Sequence, residues 1–341
     1  SSSFSLNADL NYVGYATDAV SWVSEAQHNG TPTAHANVVN ISKADLVSIW
    51  AGTLGCNTDG TPDAAQGGSN DGTFVTMDWR CLQLDSSVTE GGSADPIDCY
   101  TTQTASGTYS TWQGFLGFTK NVNPPCSSAA NEQGDTGDAN VTTDHNNLTE
   151  NQMAVVDHAS DAANAIYFFS YGKFVQTCTT NIATSGGGQV QGTCIGQDSN
   201  SITQFGEING IVADKTNIQG PGGGVGGSFP DNRILYNAYA DTAAPVPATP
   251  ATLNFIGAGG FLCRADMRTE MDPNSTTGLT YRTEIENAIT NDGFFPLDTT
   301  QTDTFTNSSP LTLVPSMGTN YPKSSSNQSG SAAGYCIVKN N

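Results

Sequence analysis

Apolar and polar positions along the chain divide it into short elements separated by long polar stretches. Leu10 to Tyr15 reads as a strand, Asp18 to Gln27 as a short helix, and Thr33 to Val39 as a second extended segment. In Ile41 to Trp50, Ser42 reads as an N-cap with Leu46, Ile49 and Trp50 on one helical face. Thr104 to Phe118 is the most informative segment, because the small polar tripeptide Ser106-Gly107-Thr108 leads straight into an apolar-periodic helix with Trp112, Phe115 and Leu116. Asn164 to Phe174 reads as a buried strand running into a turn or helix, and Ile234 to Tyr239 as another strand. Asn254 to Gly257 resembles a strand end, Thr283 to Thr290 a short helix, and Gly293 to Leu297 closes the globular pattern. Residues 55–73 read as a surface loop that begins near Cys56, and Gln219 to Ser228 as a flexible glycine-rich loop without a phosphate-loop lysine. From Asp298 onward the chain is rich in Ser, Thr and Asn with apolar patches at Leu311 to Val314 and Tyr335 to Val338, the pattern of an extended arm tied down by Cys336.

Cysteine usage adds a compartment. Cys56, Cys81, Cys99, Cys126, Cys178, Cys194, Cys263 and Cys336 form no CxxC or CxxxC pair of the kind zinc ligation uses, so they read as disulfides of a secreted, extracellular or cell-surface protein. Connectivity stays open apart from one close candidate, Cys178 with Cys194 around a glycine-rich turn. Asn29, Asn40, Asn140, Asn147, Asn274, Asn307 and Asn327 stand in Asn-x-Ser/Thr sites and are glycosylation candidates. A net charge of −21 with only 11 basic residues argues against nucleic-acid partners and anionic membranes, and no apolar run is long enough to span a bilayer.

The search for catalytic chemistry finds no GxSxG elbow, HExxH, phosphate-loop lysine or paired-histidine metal motif, so the chain reads as a non-enzyme with no cofactor and no metal. Asp59, Asp63 and Asp71 lack the spacing and terminal Glu of a hand-type calcium loop. His28, His35, His145 and His158 stand far apart in polar sequence, and His145 and His158 with Asp144 and Asp157 read as solvated loop residues. The start of the helix after Thr104 is different: its free backbone N–H groups and hydroxyls make a ready anion site, although a Ser106 N-cap and nothing more is the commoner reading of such a start.

An ordered series of fragments resembles the phosphate-type solute-binding proteins of ABC transporters: Gly14 to Ala19, Ser42 to Thr53, Asp95-Pro96-Ile97 followed by Ser106-Gly107-Thr108, Ala165 to Ser170, Phe229 to Tyr236, and Gly293 to Leu297. The resemblance implies an α/β, two-lobed type II periplasmic-binding-protein-like fold joined by two hinge strands, with an irregular C-terminal arm. Lobe I would comprise residues 1–38 and 237–297, lobe II residues 39–236, and the arm residues 298–341. It also implies that Ser106, Gly107 and Thr108 hold a phosphate-like oxyanion through hydroxyls and N–H groups, while Asp18 accepts its proton-bearing oxygen. Two features depart from the family. Thr102 stands where an arginine is expected, and the family's first strand, first helix and second strand would lie before Ser1. A lobe lacking an inner strand has to be completed by an N-terminal segment, by another copy of the chain, or by the strand-like patches of the C-terminal arm, donated to its own lobe or to a neighbour. The alternative function is therefore a structural or adhesive surface subunit that has lost ligand binding and self-assembles, as an extracellular filament, by strand donation.

Overall fold

A computed structural model of the chain describes residues 10–57, 74–84, 95–102, 106–119, 150–151, 153–159, 161–182, 190–219, 228–240, 248–256, 261, 270–296 and 337–339. In chain order the elements are β1 (Leu10–His28), β2 (Thr31–Pro32), β3 (Asn40–Ile41), α1 (Lys43–Trp50), β4 (Gly55–Asn57), β5 (Phe74–Thr76), β6 (Asp98–Cys99), α2 (Gly107–Leu116) and α3 (Met153–Asp157). Then follow β7 (Ala165–Ser170), α4 (Tyr171–Thr177), β8 (Cys178–Ile182), β9 (Val190–Cys194), β10 (Ile202–Phe205), β11 (Glu207–Ile208) and α5 (Lys215–Gln219). The last are β12 (Asn232–Ala240), α6 (Pro250–Ile256), α7 (Tyr281–Asn291), β13 (Phe295–Pro296) and β14 (Ile337–Lys339). The architecture is mixed α/β, and no helix among the described residues is long and apolar enough to cross a membrane.

The chain divides into two compact units, one from Ser1–Asp18, Asp214–Ser228 and Asn232–Asn341, the other from Ala19–Ala213 and Phe229–Asp231. The lobe boundaries expected from the sequence lie at 38/39 and 236/237. In the first unit, β1 pairs antiparallel with β13 at Ala16 and Thr17 and with β14 at Tyr12 to Gly14, and β12 also pairs with β1. The strand-like patch in the C-terminal segment is thus added to β1 of its own chain.

In the second unit the strand order is β6-β7-β1-β10-β9-β8. Along that order β6–β7 is parallel and the other pairings are antiparallel, while β3 and β11 of the same unit pair parallel in a separate two-stranded sheet. Cys178 and Cys194 face each other in the β8–β9 register and are bonded, as the spacing suggested. Closing that loop is worth about 3 kcal/mol by the loop-entropy relation. Cys56 is bonded to Cys81, and Cys99 is also a half-cystine. Cys126, Cys263 and Cys336 lie outside the described residues, as do the acidic loop with Asp59, Asp63 and Asp71, the sequons at Asn140, Asn147, Asn307 and Asn327, and the arm apart from β14.

Several expectations are corrected. Asp18 to Gln27 is not a helix but the continuation of β1, whose residues from Ala16 to Glu25 are all buried. A strand covered on both faces loses the period-two alternation by which strands are read. Thr33 to Val39 is not extended: residues 34–37 turn, with Ala36 N–H donating to Thr33 O and Val38 N–H to His35 O. Cys56 lies in the buried strand β4 rather than at a loop start, and Asn254 to Ile256 belongs to α6 rather than to a strand end. Among the glycosylation candidates, Asn40 is buried in β3 with its Oδ1 accepting from Gly210 N–H at 2.6 Å. Asn29 and Asn274 are exposed, and Asn29-Gly30, both at positive φ, make the two-residue turn between β1 and β2. Gly206 marks the closest approach to β1, since a Cβ there would come within 1.9 Å of the Trp22 ring.

Polar groups carried inward by β1 are paired. Ser21 Oγ donates to Gly206 O at 2.7 Å, and Ser24 Oγ accepts from Gln204 Nε2 at 2.9 Å. Burial, reinforced by the adjacent Asp157, pushes the Glu25 carboxyl up to about 10. His35, which stands in polar sequence, is fully buried and stacked on Trp79 at 3.8 Å, with neither ring nitrogen hydrogen-bonded. Burial lowers its pKa to about 3. A histidine held below its unfolded value of about 6.5 contributes stability that is complete above that pH and lost as pH falls toward the folded value. The expected loss attributable to His35 between about pH 6.5 and 3 is on the order of 4 kcal/mol. Urea unfolding of the wild type and His35→Phe across that range checks this: the variant should lose distinctly less stability on acidification, and parallel curves would contradict it.

Candidate functional site

The apolar stripe of α2 buries Tyr109, Trp112, Phe115 and Leu116. Tyr109 and Trp112 stack on Phe168 of β7, each with centroids 5.9 Å apart, and Trp112 meets Trp50 of α1 edge-on at 5.1 Å. This packing fixes the helix and leaves the N–H groups of its first turn to find partners outside the helix. Ser106 is the N-cap, with extended φ and ψ and Oγ accepting from Tyr109 N–H at 2.9 Å. Two further donors converge on one atom. Ser106 Oγ–H donates to Glu150 Oε1, and Thr108 N–H donates to the same oxygen at 2.9 Å.

A carboxylate oxygen of the chain itself therefore lies where the sequence reading placed an oxygen of a bound oxyanion. The arrangement is favourable by the ordinary rules for helix N-termini, where a negative group gains from the unsatisfied N–H groups and the helix dipole. Glu150 is held there by its neighbour. Asn151 adopts φ 59° and its Oδ1 accepts from Ser170 N–H at 3.1 Å, at the residue that also caps α4. Tyr167 of β7 is completely buried, and its phenol is pushed well above the usual range, chiefly by burial and then by the charge of Glu150. Gly107 is exposed, has no positive φ, and has open space where a Cβ would stand, so nothing at this position demands glycine.

Asp18 belongs to the other compact unit. It is buried on β1, and its Oδ2 accepts from Nε and Nη2 of Arg233 on β12 at 3.0 and 2.7 Å. The same unit places Tyr15 beside this pair, its phenol raised by burial and by Asp18 and Asp292, with Arg233 acting in opposition. Thr102, standing at the position expected for arginine, is buried. Sequence reasoning missed both Glu150 and Arg233 as partners. Arg233 lies inside a fragment that was recognised, but its side chain had no assigned role. Glu150 lies 42 residues beyond Thr108 in polar sequence, and no local pattern marks it.

No family model matches the chain, and no curated protein does. The chain is similar to solved structures of phosphate receptors. An ABC-type phosphate transport receptor from Vibrio cholerae is 13% identical with TM-score 0.42, the match covering 86% of this chain and 75% of that one. A possible phosphate-binding protein from Planctomyces limnophilus DSM 3776 is 13% identical with TM-score 0.38, covering 85% and 68%. PstS from Borrelia burgdorferi is 11% identical with TM-score 0.37, covering 86% and 74%. None of these likenesses assigns a role to a residue of this chain.

The two positions at the helix start should behave oppositely. Ser106→Ala removes the cap and one donor to Glu150 and is expected to cost about 1–2 kcal/mol in denaturant unfolding. Gly107→Ala is expected to be neutral or to stabilise by up to about 1 kcal/mol, since helical glycine is the poorer former. A larger loss from Gly107→Ala than from Ser106→Ala would contradict this description of the site.

Proposed function

We propose that the chain is an extracellular protein of solute-binding architecture whose oxyanion cradle at Ser106, Gly107 and Thr108 is held by its own Glu150, so that at neutral pH it does not act as a receptor for free phosphate. The observation that carries this reading is the convergence of the Ser106 hydroxyl and the Thr108 amide on one Glu150 oxygen. A dianion entering the cradle has to displace that carboxylate or meet its charge, and no basic side chain among the described hydrogen bonds of the cradle compensates. Asp18 is likewise engaged, with Arg233. Titration calorimetry with phosphate, arsenate and sulfate at pH 7 tests the reading. Wild type should give no heat, whereas Glu150→Gln should bind at least tenfold more tightly than wild type, and Ser106→Ala in that background should remove the gain. Micromolar phosphate binding by wild type, unchanged in Glu150→Gln, would overturn it.

A second reading, as a self-assembling surface subunit, is favoured by the pairing of β14 with β1. Residues 297–336 separate β14 from β13 in sequence, and a short strand on so long a connection can be exchanged between copies at little cost in new contacts. Light scattering on fractionated protein should show oligomers that grow with concentration and are lost in Val338→Pro, which interrupts the added strand. Monomers at every concentration would rule this reading out.

A further inference from the structure

The end of β1 carries a second group of polar side chains that the cradle does not use. Glu25 Oε2 lies 2.7 Å from His28 Nδ1, and Asp157 Oδ1, at the end of α3, lies 3.8 Å from the same nitrogen. All three ligand atoms lie within 4.8 Å of one another. Glu25 and Asp157 are buried, and His28 is half-buried. Asp157 was expected to be a solvated loop residue; instead its Oδ1 is buried with no hydrogen-bond partner.

The other atoms of the group are already held. Glu25 Oε1 accepts from Gln197 Nε2 at 3.0 Å, and Asp157 Oδ2 accepts from Asp198 N–H at 2.9 Å. The second ring nitrogen of His28 meets the Asn29 side-chain amide at 2.9 Å. Each of the three side chains thus keeps one atom turned toward a common point while a neighbour fixes its other polar atom, the arrangement that orients metal ligands. Four-coordinate Zn2+ with bonds of about 2.0–2.1 Å sets its ligand atoms roughly 3.3 Å apart. The observed 2.7 and 3.8 Å bracket that spacing.

We propose that Glu25, His28 and Asp157 form a site for a zinc-class divalent cation that ties the end of β1 to α3, with water in the remaining position. With the Glu25 proton released on binding, two carboxylates and a neutral imidazole would balance the charge of a divalent ion and satisfy the orphaned Oδ1. An imidazole ligand and few oxygens favour zinc over calcium. The neighbouring His158 is exposed, and its Nε2 is 3.6 Å from the outer oxygen, Asp157 Oδ2, so it is not part of the set.

The test is calorimetry on the full, untagged chain stripped with chelator, using Zn2+ and Ca2+ at pH 7, together with Co2+ absorption on the same protein. Expected are one Zn2+ per chain, no heat for Ca2+, and the intense visible absorption of low-coordinate Co2+. His28→Gln and Asp157→Asn should each weaken Zn2+ binding at least tenfold, and His158→Gln should leave it unchanged. The Co2+ spectrum needs no variant, so loss of folding in a substituted chain does not spare the proposal. Failure of wild type to bind Zn2+, a six-coordinate Co2+ spectrum, or binding that survives His28→Gln but is lost in His158→Gln would each overturn it.

Discussion

Complete burial of β1 from Ala16 to Glu25 is the constraint on which the rest depends. The strand carries Thr17, Asp18, Ser21, Ser24 and Glu25 into the interior, and each polar group has to find a partner there or cost several kcal/mol. The partners come from far along the sequence: Phe295 for Thr17, Arg233 for Asp18, Gly206 for Ser21, Gln204 for Ser24 and Gln197 for Glu25. These pairings fix register, because a one-residue slip of β1 would turn every one of these groups away from its partner. Gly206 adds a steric lock, since only a residue without a side chain lets its backbone lie against Trp22.

The same demand for satisfaction explains the cradle. A helix pinned through Trp112 and Tyr109 presents its first-turn N–H groups and the Ser106 hydroxyl in a fixed place, and something negative has to meet them. A solute can do this transiently. In this chain a carboxylate, that of Glu150 in the same compact unit, meets them. Under the proposed function, attraction for an external anion is reduced twice, by occupancy and by charge.

How much of this was legible depended on whether the information was local. The caps at Ser42 and Ser106 and the apolar stripes behind them identified α1 and α2, and the apolar run from Ala165 identified β7 and the helix that follows it. The mixed α/β arrangement is what the resemblance to phosphate-type solute-binding proteins implies. The second half of β1 reads as a helix because burial on both faces erases its alternation, and Asp157 reads as solvated because its neighbouring residues are polar. The Ser-Gly-Thr helix start was found from its own residues. Its occupant was not, because Glu150 reaches it through a turn set by Asn151, and Arg233 meets Asp18 across 215 residues. Pairings at that range leave no periodicity to read.

The Thr108 amide reports most directly whether the cradle is closed by Glu150. In threonine-labelled protein, its 1H–15N resonance should stay fixed when phosphate is added to wild type, should move when Glu150 is replaced by Gln, and should then respond to phosphate. A Thr108 resonance that shifts with phosphate in wild type, and is indifferent to Glu150→Gln, would contradict the account.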